Sequence, residues 1–579
     1  MDVRGEKNED GWVRRVARES LFIPLLLLAL LTVLLVSPAG DFPLNDDWIY
    51  AQAVQGILED GHFSGHPYST ALLVVQAYWG ALFCSVFGFS FVVLRCSTLV
   101  LWLAGAWAAA RCGKECGLSR GPALLAGVVV LANPLVINLS YTFMTDVPFL
   151  ALSAFSGLFF LRALREPKWQ WVALGSAIAA AAFFVRQFAV LVPAAYAVTV
   201  SVQWLRTRSK ISWPYVGALA IPWVVAAVLL PMVPSAAGEL GHTWDPDVLG
   251  KDMGARISGG IRFVLICAMY LCLFLFPIIL AGVLRRRPQD GLSAGARWSI
   301  FAGLFASALY IVHGEAPGRM PFYVLYNMIY DFGVGPLTLR GLYQSGALWR
   351  PVQIGDWWWV PTLIGIGLAC IVLRDLASRS VVMIFGSIGV ELEPDAQRAR
   401  QELFLLIWGA FIVVALFNPW LPVRFDRYLI AAVVPVGVLL TCWMGTPRKG
   451  GWMLAGAGCV LLYGFSVVCL QDYMAWNTAR WTALERLATT HGVPDERIDG
   501  GYEFNGLRTS GGYIERDGAS SFLKQGPIGW WIVDDAYAVS LIPREGYSEI
   551  GREGYFSWLG FRTGQVLMLR RDEDAEGPR

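Results

Sequence analysis

Charge is what this chain has least of. Of 579 residues, 16% are charged, with 46 Lys and Arg against 44 Asp and Glu and a formal net charge of +2. Ordinary globular domains carry about 25%. No basic patch stands out, so nucleic acid is not among the expected partners. Histidine is scarce, at five residues. Of these, His62 and His66 have a spacing that would meet a metal only on a helix, and Gly61, Gly65 and Pro67 argue for a loop there. No cysteine follows Cys469, so the tail beyond it holds no internal disulfide. Most of the ten cysteines lie in apolar runs, where they act as small hydrophobes. Cys112 and Cys116 alone do not make a zinc site. No internal repeat is evident, which weakens an inverted-repeat transporter.

Apolar length is what the chain has in abundance. Hydrophobic residues make up 56%, in repeated runs near the ~20 residues that cross a bilayer. The expected fold class is therefore a polytopic α-helical membrane protein. The expected spans are 21–36, 91–110, 122–140, 148–164, 171–185, 188–205, 214–232, 261–284, 298–312, 357–373, 403–417, 429–443 and 452–470, about thirteen in all at ~20 residues each. Residues 1–20 form a basic N-terminus. Ser37-Pro38-Ala39-Gly40 is a weak cleavage site, so the first helix is expected to be retained.

Charge position sets the expected orientation. Arg4, Lys7, Arg14, Arg15 and Arg18 put the N-terminus in the cytoplasm. No Lys or Arg occurs from Pro38 to Ser90, which puts the first loop, 38–90, outside. Thr70–Phe87 is apolar enough to span, but spanning would turn every later basic cluster outward. Laid along the outer interface, it leaves Arg111/Lys114/Arg120, Arg162/Arg165/Lys168, Arg206/Arg208/Lys210, Arg285-Arg286-Arg287, Arg374/Arg379/Arg398/Arg400 and Arg448/Lys449 inside. An interfacial helix is therefore expected, with Tyr78 and Trp79 as belt residues. The odd count puts the C-terminus outside. After the transmembrane part, 21–470, residues 471–579 read as a small α/β extracytoplasmic domain. It would hold a helix over 472–491, stopped by Gly492 and Pro494, and strand-like runs at Trp530–Val533 and Gln565–Leu569. A long aromatic loop, 313–356, is an interfacial anchor or a lid over a site.

Four polar stretches then gather on the outer face. The first is Asn45-Asp46-Asp47, where Asn45 or Asp46 caps a helix and Asp47 complements its dipole, or where a carboxylate does chemistry. The others are Thr145-Asp146-Val147-Pro148, Arg186-Gln187 and Arg424-Phe425-Asp426-Arg427-Tyr428. Each taken alone fits capping, helix ending or snorkelling equally well. Gathered on one side, carboxylates and guanidinium groups at a membrane surface could hold a lipid phosphate and activate a nucleophile.

These stretches resemble a family. Asn-Asp-Asp-Trp-Ile-Tyr-Ala at 45–51 is similar to the acidic first-loop motif of the GT-C glycosyltransferases. His66-Pro67-Tyr68, Phe87-Gly88-Phe89-Ser90, Arg95, Met144-Thr145-Asp146-Val147-Pro148 and Asp426-Arg427-Tyr428-Leu429 resemble its later blocks. The branch is that of the protein O-mannosyltransferases and lipid A aminoarabinose transferases, and the likeness covers about residues 20–470. Asp47 stands where many relatives have Glu, and Arg186-Gln187 where many have Thr-Lys. The external tail is not explained by the best-known members.

The resemblance implies a GT-C-like fold and a polyprenyl-phosphate sugar donor. It implies a protein, lipid or glycan acceptor, and an inverting displacement outside a bacterial inner or plasma membrane. Asp46 would be the base and Asp47 its orienter or a cap, with Asp146 a second acidic contact. His66, Arg186, Arg427 and Tyr428 would meet the donor phosphate. A divalent metal on Asp46, Asp47 or Asp146 is an open alternative for the phosphate charge. The rival class is a transporter or lipid-linked sugar flippase, which needs ionisable residues buried mid-span. A third class, a receptor with an external sensing domain, rests on the tail alone.

Overall fold

The computed structural model describes residues 20–207, 212–233, 253–283, 294–313, 328–330, 333–339, 359–385, 394–416, 425–445, 447–518 and 529–572. The basic N-terminus, Arg285–Arg287 and most of the expected loop 313–356 lie outside them. The chain is an integral membrane protein built mainly of helices. Eight helices among the described residues are long and apolar enough to cross a bilayer, or up to ten if each of two bent pairs counts as one span.

Both bent pairs have a chemical cause. The run 122–140 divides into Arg120–Leu131 and Pro134–Ser140, which meet at 60°. Pro134 cannot continue the preceding helix, and Asn133 starts a new one by accepting from the amides of Leu135 at 2.9 Å and Val136 at 3.2 Å. The second pair, Val264–Phe274 and Phe276–Val283, bends by 78° just before Pro277.

Two spans are the most enclosed. Asp146–Arg165 is 78% buried and Asp426–Trp443 is 83% buried, whereas Trp213–Met232 is only 11% buried. The first two therefore form the centre and the third faces outward, apolar on all sides as a lipid-facing helix should be. Each central span opens on an acidic residue, where a carboxylate suits the positive end of a helix.

The first loop is drawn onto this centre by Arg95, which is 1% exposed. Its Nε donates to the Tyr141 carbonyl at 2.7 Å and its Nη2 to the Phe42 carbonyl at 3.2 Å. Its Nη1 donates to the carbonyls of Pro38 and Gly40. The loop then forms two helices, Asp47–Asp60 and Val74–Phe87. The second has 14 residues, about 21 Å at 1.5 Å per residue, which is short of a bilayer core. Its Gln76, Ala77, Gly80, Ala81 and Cys84 are buried while Tyr78, Leu82, Val86 and Phe87 are exposed.

At the far end of the chain, the helix expected over 472–491 is not separate from the last span. Lys449–Thr489 is one helix of 41 residues. Leu470-Gln471-Asp472 contains neither glycine nor proline, so nothing there stops it. The last two turns of this helix carry a four-stranded sheet in the order β3-β4-β6-β5. The strands are β3 (Ile498–Asp499), β4 (Tyr537–Ser540), β5 (Tyr547–Ser557) and β6 (Arg562–Arg571). β3 and β4 are parallel and the other neighbours antiparallel. Ala483, Leu484 and Leu487 of the long helix pack against Val539, Val566 and Met568 of the sheet. The Asp472 carboxylate clamps the β5–β6 turn, accepting from Ser557 Oγ at 2.6 Å and from the amides of Trp558 at 2.5 Å and Leu559 at 3.2 Å.

Two local expectations fail. Trp530-Trp531 is a turn rather than a strand, with positive φ at both residues (46° and 56°). Both indoles are fully buried, and Trp531 stacks on Tyr68 at 5.2 Å and meets Trp48 edge-on at 5.4 Å. Packing against the first loop overrides their strand propensity. Tyr502–Gly506, legible as a carbohydrate contact or a structural turn, is the start of a helix, Tyr502–Asp517. That helix lies against the Asp47–Asp60 helix, where Trp48 fills the space a Cβ on Gly506 would take, 2.4 Å away.

Candidate functional site

Three chain segments meet at one cleft. The Asp146–Arg165 span brings Asp146 and Phe149. The 3₁₀ turn Gln187–Val190 follows Arg186 and brings Phe188. The 3₁₀ turn Asp426–Leu429 brings Arg427 and Tyr428, and the helices on either side add Ile412, Leu416, Ile430 and Ala431. Together these residues line one cleft. One wall is aliphatic and the other holds two guanidinium groups and a carboxylate.

The charges are arranged in a chain. Arg186 Nη1 donates to Asp146 Oδ1 at 2.5 Å. Arg427 Nη2 lies 3.6 Å from Asp46 Oδ2, and Arg427 also acts electrostatically on Asp146. The Tyr428 ring lies under Arg186 at 4.9 Å and beside Arg427 at 5.7 Å. Asp146 Oδ2 and Arg427 Nε are buried and have no hydrogen-bond partner among the described residues. The cleft thus carries one unmatched acceptor and one unmatched donor. The buried phenol of Tyr50 faces the same four charges, Asp46, Asp146, Arg186 and Arg427.

The adjacent carboxylates of the first loop have different surroundings. Asn45 is left-handed at φ 56°, a conformation Asn tolerates. Asp46 occupies the N-cap position but makes no side-chain capping bond to its own helix. Its Oδ1 accepts from the Tyr502 hydroxyl at 2.8 Å. Asp47 accepts at Oδ1 from the Phe143 amide at 2.8 Å and at Oδ2 from the Leu44 amide at 3.2 Å. It ties the first loop to the segment before Asp146. Burial pushes its carboxyl up to about 8, against the nearby Arg95 and the two amides. Asp47 thus staples the first loop through both of its carboxylate oxygens.

His66 lies buried among aromatic rings. Its stretch is not helical, as the flanking glycines implied. The ring is 5% exposed, packs edge-on against Trp48 at 5.3 Å, and uses Nδ1 to accept from the Tyr68 amide at 3.1 Å. Burial lowers it to about 4, so at neutral pH it is uncharged and offers no cation to a phosphate.

Asp46, Asp146, Arg186, Arg427 and Tyr428 are therefore brought together, while Asp47 and His66 are not. A metal does not fit the proposed ligands. Asp47 gives both oxygens to backbone amides, and Asp46 and Asp146 each face an arginine. Among the described residues no group of three or more His, Cys, Asp or Glu side chains is arranged to hold an ion. Asp426 accepts from the Met328 and Ile329 amides, the latter at 2.8 Å. It pins a short hairpin, β1 (Ile329–Tyr330) and β2 (Gly333–Val334), beside the site.

Sequence reading missed the contribution of the far C-terminal part. Tyr502 and Glu503 reach Asp46 and Asn45 from more than four hundred and fifty positions away. The only sequence signal was the external tail itself, which the resemblance left unexplained.

Residues 66–231 match the family model described as dolichyl-phosphate-mannose-protein mannosyltransferase. The resemblance read from the motifs is borne out over this segment, which is less than half of the chain. No curated protein matches the sequence. Among solved structures, the chain is similar to apo ArnT from Cupriavidus metallidurans at 13% identity and a TM-score of 0.37, covering 99% of this chain and 100% of that one. The same protein bound to undecaprenyl phosphate aligns at 14% identity and a TM-score of 0.36, over 98% and 99%. Archaeal oligosaccharyltransferase AglB from Archaeoglobus fulgidus, in complex with an inhibitory peptide and a dolichol-phosphate, aligns at 10% identity and a TM-score of 0.44, over 97% and 75%. At these scores no residue role passes from one chain to the other.

Proposed function

We propose, from the family match over residues 66–231 and the charged cleft, that this chain is an integral membrane glycosyltransferase of the GT-C, protein O-mannosyltransferase-like kind. It moves a sugar from a polyprenyl-phosphate donor to a hydroxyl or other nucleophile on a protein, lipid or glycan. The reaction lies on the extracytoplasmic side of a bacterial inner or plasma membrane, the side given by the basic clusters. The transmembrane part covers 21–470 and the external part 471–579.

The observation that carries this reading is the pairing of two arginines with an aliphatic wall. A prenyl tail is apolar and its phosphate is anionic, so a donor needs both surfaces adjoining. Ile412, Leu416, Ile430 and Ala431 supply the first, and Arg186 and Arg427 the second. Burying two ion pairs costs several kcal/mol per ion before their attraction is counted. Such groups are weak stability devices and are better explained by a ligand they recognise.

In the proposed step, the acceptor hydroxyl attacks the anomeric carbon as its proton passes to Asp46. The bond between that carbon and the phosphate oxygen breaks, and the electron pair leaves with polyprenyl phosphate. One displacement inverts the anomeric centre. Arg186 and Arg427 meet the charge that grows on the departing phosphate. Asp146 holds Arg186 in place and directs its free Oδ2 toward the cleft. No step is routed through a metal.

The test is incubation of the purified protein with a panel of polyprenyl-phosphate sugars, with mass spectrometry for released lipid phosphate. Turnover that disappears in Asp46→Asn, with insertion and folding retained, is expected. No turnover across the panel favours the flippase.

A further inference from the structure

We propose that Tyr502, from the C-terminal part of the chain, is a positioning residue for Asp46, and that Glu503 fixes the backbone from which Asp46 projects. This rests on Asp46 being the base of the proposed reaction. Two consecutive residues grip two others. The Tyr502 hydroxyl donates to Asp46 Oδ1 at 2.8 Å, and the Asn45 amide donates to Glu503 Oε1 at 2.9 Å. Asn45 is the left-handed residue that turns the chain into its helix, so Glu503 holds the turn at its strained point.

Asp46 needs this grip because nothing on its own helix provides one. It makes no side-chain capping bond, and its remaining charged neighbour is Arg427 at 3.6 Å, beyond hydrogen-bond reach. The Tyr502 hydroxyl engages Oδ1, so Oδ2, which faces Arg427, is the oxygen left for an acceptor proton. Tyr502 thereby selects which oxygen is the base.

The grip itself is rigid. Tyr502 is buried, and its ring meets Trp531 at 5.5 Å and Trp48 at 6.1 Å. Its amide donates to the Thr338 carbonyl at 2.9 Å. Gly501 before it has φ 88°, and a Cβ there would sit 2.5 Å from that same carbonyl. Glu503 Oε2 accepts from Arg480 Nη1 at 2.8 Å, with both side chains fully buried. Arg480 belongs to the 41-residue helix and also donates from Nε to the Gly500 carbonyl at 2.9 Å and from Nη1 to Thr338 Oγ1 at 3.0 Å. The first loop, the segment 333–339, the long helix and the C-terminal helix therefore all converge on the Tyr502–Glu503 pair. The charged and titratable groups that act on the Tyr502–Asp46 pair include Tyr50, Asp47, Arg427 and Glu503.

The test is steady-state transfer by the full-length protein carrying Tyr502→Phe, which removes the hydroxyl and keeps the ring. The expected result is a kcat lower by about 10- to 100-fold, the cost of a catalytic group out of place. KM for the lipid donor and the thermal midpoint in detergent should be unchanged. In an Asp46→Asn background the same substitution should cause no further loss of residual activity. Unchanged kcat, or a loss matched by raised KM or a lowered midpoint, overturns the proposal by assigning Tyr502 a purely structural place. If the wild-type protein turns over no donor, the reading of the site falls with it. Active wild type, inactive Asp46→Asn and unimpaired Tyr502→Phe overturn the Tyr502 proposal alone.

Discussion

Arg186 donates to Asp146 across 2.5 Å, and these two residues belong to elements separated by a full helix, Trp169–Phe183. The pair holds one side of the cleft. Arg186→Gln leaves a buried carboxylate without its cation, a change that costs about 3–5 kcal/mol in comparable sites. Thermal unfolding in detergent should register that loss. Arg186→Lys keeps the charge but loses the planar fork, and is expected to recover stability better than affinity for the lipid phosphate. Equal recovery of both would remove Arg186 from phosphate binding.

Asp46 and Asp47 should separate under the same substitution. Asp46→Asn is expected to reduce transfer by about 10²- to 10⁴-fold, the range general-base groups supply. Asp47→Asn presents one donor to an amide that needs an acceptor, a mismatch worth about 1–3 kcal/mol. Its transfer per folded molecule should stay within about tenfold of wild type, as a residue outside the reaction allows. The comparison requires only activity normalised to folded protein. A dead Asp47→Asn with wild-type stability would reverse the two roles.

His66 makes an acid-stability prediction. Its folded value, about 4, lies below the ordinary 6.5. Between those values the unfolded chain binds a proton that the folded chain refuses. Stability is therefore present above about pH 6.5 and lost as pH falls toward 4, by an amount on the order of 3 kcal/mol. His66→Asn keeps an acceptor for the Tyr68 amide and cannot titrate, so the midpoint between pH 6.5 and 4 should flatten. An unchanged acid slope in this variant would locate the sensitivity elsewhere.

Trp531 joins the first loop to the C-terminal part. Trp531→Ala removes a fully buried indole that touches Trp48, Tyr68 and Tyr502. A loss of about 3–5 kcal/mol is expected. Limited proteolysis of the C-terminal part should become faster. Wild-type resistance would mean the two parts are held together without the aromatic cluster.

The sequence displayed the membrane class directly, because apolar runs of span length have few other uses. It also displayed Asp146, Arg186, Arg427 and Tyr428, since ionisable groups at span ends are costly and conspicuous. It separated Asp46 from Asp47 through the resemblance alone, since they differ by one position. Their roles depend on the left-handed turn at Asn45 and on amides at Phe143 and Leu44, which are tertiary facts. Charge pattern made His66 look like a cation, but burial decides its state. Trp530-Trp531 carried strand propensity, and contacts from the first loop overrode it. Tyr502 stood out only as part of a possible turn or carbohydrate contact, because its partner Asp46 lies at the other end of the chain.

The 41-residue helix has a mechanical consequence. From Phe465 to Thr489 it contains neither glycine nor proline, so that stretch offers no pivot. One end lies among the spans, and the other bears the sheet and Arg480, which holds Glu503. At about 60 Å long by its rise per residue, it acts as a beam. Tilting the beam moves the external part as a unit. A cut at residue 470 would sever it midway and strip Ala483, Leu484 and Leu487 from the helix that presents them. The external part is thus better regarded as cantilevered from the membrane than as tethered to it.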